Sequence, residues 1–170
     1  MLHALELPSR GGVTCFTNQT AAYEALDDAQ QRELAALVGK HIYLSRFSKR
    51  RLQAMTPDEI ARAPSASHPL VRPHPVTGRP ALFFNPVRIE EFEGMSPEAS
   101  QDLIHRLIEH CEQPRFVYRH QWRQGDVLIW DNRQALHMVE HDYPKDELRL
   151  MHRTLVGSEA LAETMGSTLQ

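Results

Sequence analysis

Short runs of alternating apolar and polar residues occur at both ends of the chain, and this alternation is the pattern of half-buried β-strands. Residues 2–7 and 13–17 form two such runs on either side of Gly11-Gly12, so they predict a strand, a glycine turn and a second strand, that is, a hairpin. In the last third of the chain, further runs predict short antiparallel strands at 115–122, 127–130, 136–139 and 148–156. The pattern therefore predicts a mainly β fold.

Two short helices are expected after the hairpin. Thr20 precedes a run of good helix formers and is predicted to be the N-cap of the first helix. Either Asp27 or Asp28 is expected to cap a second helix, which continues through Gly39. These local signals add helical segments to the β framework.

A third helix is predicted further along the chain. Ser96 followed by Pro97 is typical of a helix start, and apolar residues then recur on one face until the chain nears Pro114. Before this helix, residues 55–80 are rich in proline, serine and histidine, so regular structure there must be short or lie at an edge. We expect this insertion to be a long connection over a functional site.

Composition indicates one soluble globular domain. Of the 170 residues, 41% are hydrophobic and 24% are charged, and the mean hydropathy is -0.47, a balance that supports a buried core without a membrane span. We place this domain at 1–157, with the 55–80 insertion inside it. The tail at 158–170 is expected to be frayed.

Charge and cysteine content argue against several classes of function. The formal net charge is -3 and the 19 basic residues are scattered, apart from Lys49-Arg50-Arg51, so we expect no nucleic-acid partner. The two cysteines, Cys15 and Cys111, do not make a disulfide framework and fit a reducing compartment. No secretory signal pattern opens the sequence, so the predicted location is the cytoplasm, away from the membrane.

Candidate chemistry lies in the last third of the chain. On a strand, Arg149, Met151 and Arg153 point to one side. Two guanidiniums on one side of an apolar sheet need anions, and guanidinium is suited to binding a carboxylate through paired hydrogen bonds. One interpretation is therefore an anion pocket, and the other is an edge strand whose arginines are solvated or paired with acidic side chains. The spacing alone leaves both open.

Histidines give weaker signals when they are taken singly. His137, flanked by apolar residues, has the pattern of a hydrogen-bonded core residue. With Glu140 and His141 it also spells the reversed zinc-peptidase motif, but that motif needs a helix and this segment favours a strand. His110-x-Glu112 lies at a helix end, where the two side chains diverge, so we do not expect it to chelate a metal.

A collinear series of short segments resembles the taurine dioxygenase family of iron(II)- and 2-oxoglutarate-dependent oxygenases. The segments are Ala4-Leu-Glu-Leu-Pro, Gly11-Gly-Val-Thr14, Ala21-Ala-Tyr-Glu-Ala-Leu26, His68-Pro-Leu-Val-Arg-Pro-His-Pro-Val-Thr-Gly78, Phe84-Asn85, Gly125-Asp126, Trp130-Asp-Asn-Arg133, His137 and Met151-His152-Arg153. The resemblance implies a mainly β fold with helices (α+β), a partial double-stranded β-helix, or jelly roll, with helical insertions. Asp131 and Arg133 are then expected to brace the strand that leads to His137.

The resemblance also implies a reaction and roles for individual residues. The reaction is oxygen-dependent decarboxylation of 2-oxoglutarate to succinate and carbon dioxide, coupled to hydroxylation of a small anionic organic substrate. His137 matches the distal histidine of the family's 2-His-1-carboxylate iron(II) site. Thr14 matches the hydroxyl, and Arg149 the guanidinium, that bind 2-oxoglutarate. Arg153 matches the position that meets the anionic group of the substrate in sulfonate-hydroxylating relatives.

The family's H-x-D motif, which supplies the other two iron ligands, is expected upstream of Met1, so we expect the chain to begin after it. His3, the histidine nearest the start, has no carboxylate two residues later. Three interpretations remain open. The first is a dioxygenase whose true start lies upstream, and the second is a non-catalytic homologue that binds a dianion through Thr14, Arg149 and Arg153. The third is an interaction protein that self-associates as a homo-oligomer through an exposed sheet.

Overall fold

The structure, a computed structural model, describes residues 1–42, 45, 58 and 64–157, so the predicted tail and part of the 55–80 insertion lie outside the described residues. Within the part of the chain that the structure describes, α1 spans Gln19–Glu24, α2 spans Asp28–Ala35, α3 spans Pro97–Cys111, and a 3-10 helix spans Pro114–Phe116. The strands are β1 (Leu2–Glu6), β2 (Thr14–Asn18), β3 (Val38–Ile42), β4 (Ser65–Pro69), β5 (Val71–Pro73), β6 (Pro80–Leu82), β7 (Ile89–Phe92), β8 (Val117–His120), β9 (Val127–Leu128), β10 (Ala135–Val139) and β11 (Leu150–Arg153).

Among the described residues, the strands form four sheets, ordered β11-β1-β9, β10-β2-β8, β4-β3-β7 and β5-β6. Contacts group the chain into two units. The first unit takes in Met1–Thr14, His120–Trp130 and the described residues from Val139 onward. The second unit takes in the described residues of Cys15–Arg119 together with Asp131–Met138.

β1 is the central strand of a sheet in the first unit. It pairs antiparallel with β11, where Leu2 lies opposite Arg153 and Ala4 opposite Met151, and with β9, where Leu2 lies opposite Leu128. Directly opposed side chains share a face of an antiparallel pair, so Arg153 and Met151 lie on the face of Leu2 and Ala4. This confirms that Met151 and Arg153 point to one side of the sheet.

The second unit has its own apolar core. α1 packs on β6, and α3 packs on β7 through one apolar face. Fully buried large side chains in this unit include Phe92, Leu70, Leu82, Ile89 and Ile104. Burial of a side chain of this size stabilises the folded state by about 1.5–3 kcal/mol. The core therefore fixes the strands β6 and β7 against the helices.

The predicted start of α3 is confirmed. Ser96 has an extended backbone and its Oγ accepts a hydrogen bond from the Ala99 amide at 3.2 Å, with Pro97 as the first helical residue. Asp27 caps α2, and its side chain and that of Gln30 form a reciprocal capping box. Of Asp27 and Asp28, which the sequence left as alternatives, Asp27 is therefore the residue that caps α2.

Two predicted helix boundaries are wrong. The N-cap of α1 is Asn18 and not Thr20, because the Asn18 Oδ1 accepts from the Ala21 amide at 2.9 Å and asparagine is the better capping residue. The second helix ends at Ala35 instead of continuing through Gly39. The chain becomes extended there because β3 pairs antiparallel with both β4 and β7.

The predicted hairpin of the first two strands is also wrong. β1 pairs with β9 and β11, whereas β2 belongs to the sheet with β8 and β10. Gly11 and Gly12 do have positive φ, but their connection does not close a tight turn between paired strands. Instead, the Gly12 amide donates a hydrogen bond to Asp142 Oδ1 at 2.8 Å, which ties this connection to a distant part of the chain.

Short strands in the last third of the chain are confirmed as β8, β9, β10 and β11; β8, β9 and β11 are shorter than predicted, whereas β10 begins one residue earlier than predicted. Within the 55–80 segment, the described residues form the short strands β4, β5 and the first residue of β6, as the proline content led us to expect. No helix within the described parts of the chain combines the length and the apolar composition needed to span a membrane.

Candidate functional site

Two of the predicted site residues meet in the first unit. Thr14 begins β2 and is fully buried, and Arg149 lies one residue before β11. The Arg149 Nη2 donates a hydrogen bond to the Thr14 Oγ1 at 3.2 Å, across 135 positions of sequence. A hydroxyl and a guanidinium in direct contact can together bind one carboxylate.

Gly12 allows the Arg149 side chain to lie against the backbone at this point. Arg149 Nε donates to the Gly12 carbonyl oxygen at 3.3 Å. A Cβ on Gly12 would lie 3.1 Å from Arg149 Nε and 3.3 Å from a ring carbon of Tyr143, and the φ of +69° also favours glycine. The glycine therefore forms one wall of a cradle for the guanidinium.

Arg149 is half-buried, and burial lowers the pKa of its guanidinium from the ordinary value, with Tyr143 acting in the opposite direction. Among the described residues, no acidic side chain forms an ion pair with Arg149. Its two hydrogen bonds, to Thr14 and Gly12, leave N–H groups that face no described acceptor. The donor set thus fits an anionic ligand such as the distal carboxylate of 2-oxoglutarate.

Trp122 is a third residue at this point, and the sequence did not single it out. Its indole Nε1 donates a hydrogen bond to the Thr14 Oγ1 at 2.9 Å. The indole ring also meets the ring of His120 edge to face, with centroids 4.5 Å apart. His120 Nε2 in turn lies 3.2 Å from Asp126 Oδ2. The Thr14 oxygen therefore receives N–H groups from both Trp122 and Arg149.

Arg153 lies four residues after Arg149, on β11, and its side chain is exposed. Its register partner on β1 is Leu2. Among the described residues, no acidic group pairs with Arg153. The interpretation of a solvated arginine therefore describes Arg153 in this structure better than it describes Arg149.

His137 belongs to the second unit, where it lies on β10 with an exposed side chain. Its ring is stacked with that of Phe16 at a centroid distance of 6.0 Å. Because residues 135–139 form a strand, the helix that the reversed zinc-peptidase motif requires is not formed there. His110, from the other short pattern, has a structural contact instead, between its Nε2 and the Ala22 carbonyl oxygen at 2.8 Å.

Asp131 and Arg133 form an ion pair just before β10, where the Arg133 Nε lies 2.8 Å from Asp131 Oδ1. Buried His74 adds a contact from the turn after β5, since its Nε2 lies 3.0 Å from Asp131 Oδ2. The Thr77 amide donates to His74 Nδ1, so the Nε2 carries the proton that meets the carboxylate. These contacts brace the turn that leads to the strand of His137.

A metal ion needs several convergent ligands. The described residues contain no group of three His, Cys, Asp or Glu side chains close enough to hold a metal ion together. They therefore do not by themselves fit an iron site, whereas Arg149 and Thr14 do fit a carboxylate. Sequence reasoning found these two residues, but it missed Trp122 and Asp142, which carry no local signal.

Comparison with known proteins gives a consistent result. Residues 1–155 match the family model described as "Taurine catabolism dioxygenase TauD, TfdA family". The chain is 39% identical, over 81% of its length, to an alpha-ketoglutarate-dependent 2,4-dichlorophenoxyacetate dioxygenase from Burkholderia sp. (strain RASC), of which it covers 46%. It is 30% identical, over 98% of its length, to an alkylsulfatase from Acinetobacter baylyi, of which it covers 54%. The chain thus spans about half the length of these relatives.

Solved structures show the same similarity. The crystal structure of AAD-2 in complex with Mn(II) and N-oxalylglycine matches 89% of the chain at 34% identity with a TM-score of 0.82, and 59% of that protein is covered. A taurine dioxygenase from Burkholderia xenovorans matches 88% of the chain at 32% identity with a TM-score of 0.72, and 48% of it is covered. These neighbours confirm the predicted fold class. Relatives are named as alpha-ketoglutarate-dependent dioxygenases, and the AAD-2 structure holds Mn(II) and N-oxalylglycine.

Proposed function

Because this chain belongs to the TauD, TfdA family of taurine catabolism dioxygenases, we propose that it binds 2-oxoglutarate in an iron(II)-dependent dioxygenase reaction. The proposed reaction hydroxylates a small anionic organic substrate and releases succinate and carbon dioxide from 2-oxoglutarate. Its proposed location is the cytoplasm. The proposal extends to this chain the general activity that the names of its relatives carry.

One observation carries the proposal, namely the half-buried Arg149 guanidinium that hydrogen-bonds Thr14 and has no acidic partner among the described residues. A cation that is partly removed from water is destabilised until an anion meets it. The planar guanidinium binds a carboxylate through two parallel N–H···O bonds, and the Thr14 hydroxyl offers a further donor. We assign the distal carboxylate of 2-oxoglutarate to this pair.

The substrate class follows from the relatives and from Arg153. Relatives act on a phenoxyacetate and a phenoxypropionate, and one is named an alkylsulfatase, so acidic organic molecules recur among them. Exposed Arg153 offers a guanidinium for such an acidic group. We therefore propose Arg153 as the residue that binds the anionic end of the substrate.

His137 is proposed as an iron(II) ligand on the strength of its match to the family's distal histidine. An imidazole on a strand is a suitable ligand for iron(II). The described residues do not complete a ligand set around this imidazole. The contacts of Asp131 with Arg133 and His74 support the proposed role by fixing the turn that precedes β10.

The test is anaerobic calorimetry of 2-oxoglutarate binding to the chain, with Mn(II) present. Arg149→Lys keeps the charge but removes the paired donors, so we expect the Kd to rise by about tenfold to a hundredfold. Arg153→Lys is the matched control, because it makes the same chemical change four residues further along and should leave the affinity for 2-oxoglutarate unchanged.

Two results would contradict the proposal. If the unchanged chain bound no 2-oxoglutarate with or without metal, the assignment of the Arg149 site would be wrong. If 2-oxoglutarate bound but no succinate formed with phenoxyacetates, phenoxypropionates or alkyl sulfates under oxygen and iron(II), the dioxygenase proposal would fail, and dianion binding without turnover would remain.

A further inference from the structure

The hydrogen-bond pattern at Thr14 is unusual for a buried hydroxyl. A threonine hydroxyl has two acceptor sites and one donor. Both acceptor sites are filled, by Trp122 Nε1 at 2.9 Å and by Arg149 Nη2 at 3.2 Å. No acceptor among the described residues takes the hydroxyl hydrogen, and Thr14 is fully buried. The hydrogen is therefore available to a ligand that reaches the guanidinium.

The two donors behave differently when a carboxylate arrives. Arg149 is a long side chain whose N–H groups are drawn to an anion more strongly than to a neutral hydroxyl. Once they turn to the carboxylate, the indole of Trp122 is the donor that still holds the Thr14 oxygen. The Trp122 contact then decides where the O–H of Thr14 points.

Trp122 is itself held in place within the first unit. Its ring lies edge to face against His120 at 4.5 Å, and His120 lies 3.2 Å from Asp126 Oδ2. The Asp126 carbonyl oxygen accepts from the Ala4 amide at 2.9 Å, which connects this loop to the central strand β1. A donor fixed in this way orients the hydroxyl before the ligand binds, so little conformational entropy is lost on binding.

We propose that Trp122 is a positioning residue for 2-oxoglutarate: its indole N–H holds the Thr14 oxygen so that the hydroxyl hydrogen is donated to the distal carboxylate. This inference rests on the proposed function and names a residue of the same site. Trp122 touches no reacting atom in this scheme, and it acts through Thr14.

The first experiment measures 2-oxoglutarate affinity for Trp122→Phe, which keeps an aromatic ring and removes the N–H. We expect the Kd to rise about threefold to tenfold, the range for loss of one neutral hydrogen bond. A residue that merely packs would leave the Kd nearly unchanged after this substitution. Circular dichroism and the urea midpoint establish that the variant is folded.

The second experiment asks whether Trp122 acts through Thr14. Thr14→Val removes the hydroxyl while keeping the side-chain shape, so Trp122→Phe should have no further effect on the Kd in that background. If Trp122→Phe raised the Kd for 2-oxoglutarate by the same factor in the unchanged chain and in the Thr14→Val background, the proposal would be overturned. That result would leave the Arg149 assignment intact, since Arg149→Lys tests it separately.

A third measurement does not depend on ligand affinity. The chain has two tryptophans, so its ¹⁵N-resolved proton spectrum contains two indole N–H signals, and Trp122→Phe identifies the Trp122 signal by its loss. Thr14→Val should shift that signal and speed its exchange with water, because its acceptor is gone. An unshifted signal would overturn the proposal, whereas failure of the unchanged chain to bind 2-oxoglutarate would overturn the proposed function.

Discussion

A methyl group on Gly12 would come within 3.1 Å of Arg149 Nε and 3.2 Å of its Cδ, at a residue whose φ is +69°. Replacing Gly12 with any other residue therefore has two separate energetic costs. One is backbone strain, which any other residue meets in the left-handed region, and the other is crowding of the guanidinium that hydrogen-bonds Thr14.

The two effects of Gly12→Ala can be measured separately, as stability and as ligand affinity. We expect the free energy of unfolding to fall by about 1–2 kcal/mol from strain, and the affinity for 2-oxoglutarate to fall as well because Arg149 is displaced. Gly78→Ala is the matched control, since Gly78 has a φ of +70° and nothing lies within 4 Å of the place its methyl group would take. The Gly78→Ala variant should be less stable than the unchanged chain but should bind 2-oxoglutarate with the same affinity. Equal affinities for the two variants would contradict the role of Gly12 as a cradle.

The contacts at this scale were only partly predictable. Arg149 and Thr14 came from the family resemblance, and strand spacing pointed to an anion pocket as one option. Trp122 lies 108 positions from Thr14, and Asp142 lies 130 positions from Gly12. Hydrogen bonds over such separations depend on how the sheets fold, and no local pattern of residues specifies them.

At the scale of elements, the sequence predicted correctly those features of α3 that depend on contacts between residues close together in the chain. The cap at Ser96 and the apolar face of α3 involve residues within a few turns of one another, and both were predicted. The pairing of β1 with β11 brings together residues about 150 positions apart. An alternating pattern predicts a strand but not its partner, and for that reason the hairpin prediction failed.

The cap of α3 gives a prediction about stability. Ser96→Ala removes the acceptor of the Ala99 amide, so the free energy of unfolding should fall by about 1 kcal/mol. Ser96→Asp should keep most of the stability, because aspartate also caps a helix and its charge suits the N-terminus. Urea unfolding at pH 7 measures both. Equal destabilisation by alanine and aspartate would show that the cap does not carry the effect.

At the scale of the whole molecule, three carboxyl groups among the described residues have pKa values below their ordinary range. Hydrogen bonds from Arg133, and then from His74, lower the pKa of Asp131. Arg79 lowers the pKa of Glu24, and the amide and hydroxyl of Ser9 lower that of Glu147; the first two carboxyls lie in the second unit and the third in the first. Each folded unit therefore favours the charged carboxylate over the protonated acid.

The lowered pKa values of these carboxyl groups determine the direction in which stability changes with pH. A carboxyl whose folded pKa is lowered stabilises the native state fully above the unfolded pKa, about 4, and this contribution is lost as the pH falls further, toward the folded pKa. The free energy of unfolding should therefore decrease below about pH 4. Asp131→Asn removes the largest of these pKa shifts. Urea unfolding from pH 7 to 2.5 measures the free energy of unfolding of the unchanged chain and of this variant. The difference between the two free energies should become smaller as the pH falls. A difference that stayed constant over the whole range would show that the Asp131 pair does not couple folding to protonation, and that the turn before β10 is held by its neutral contacts alone.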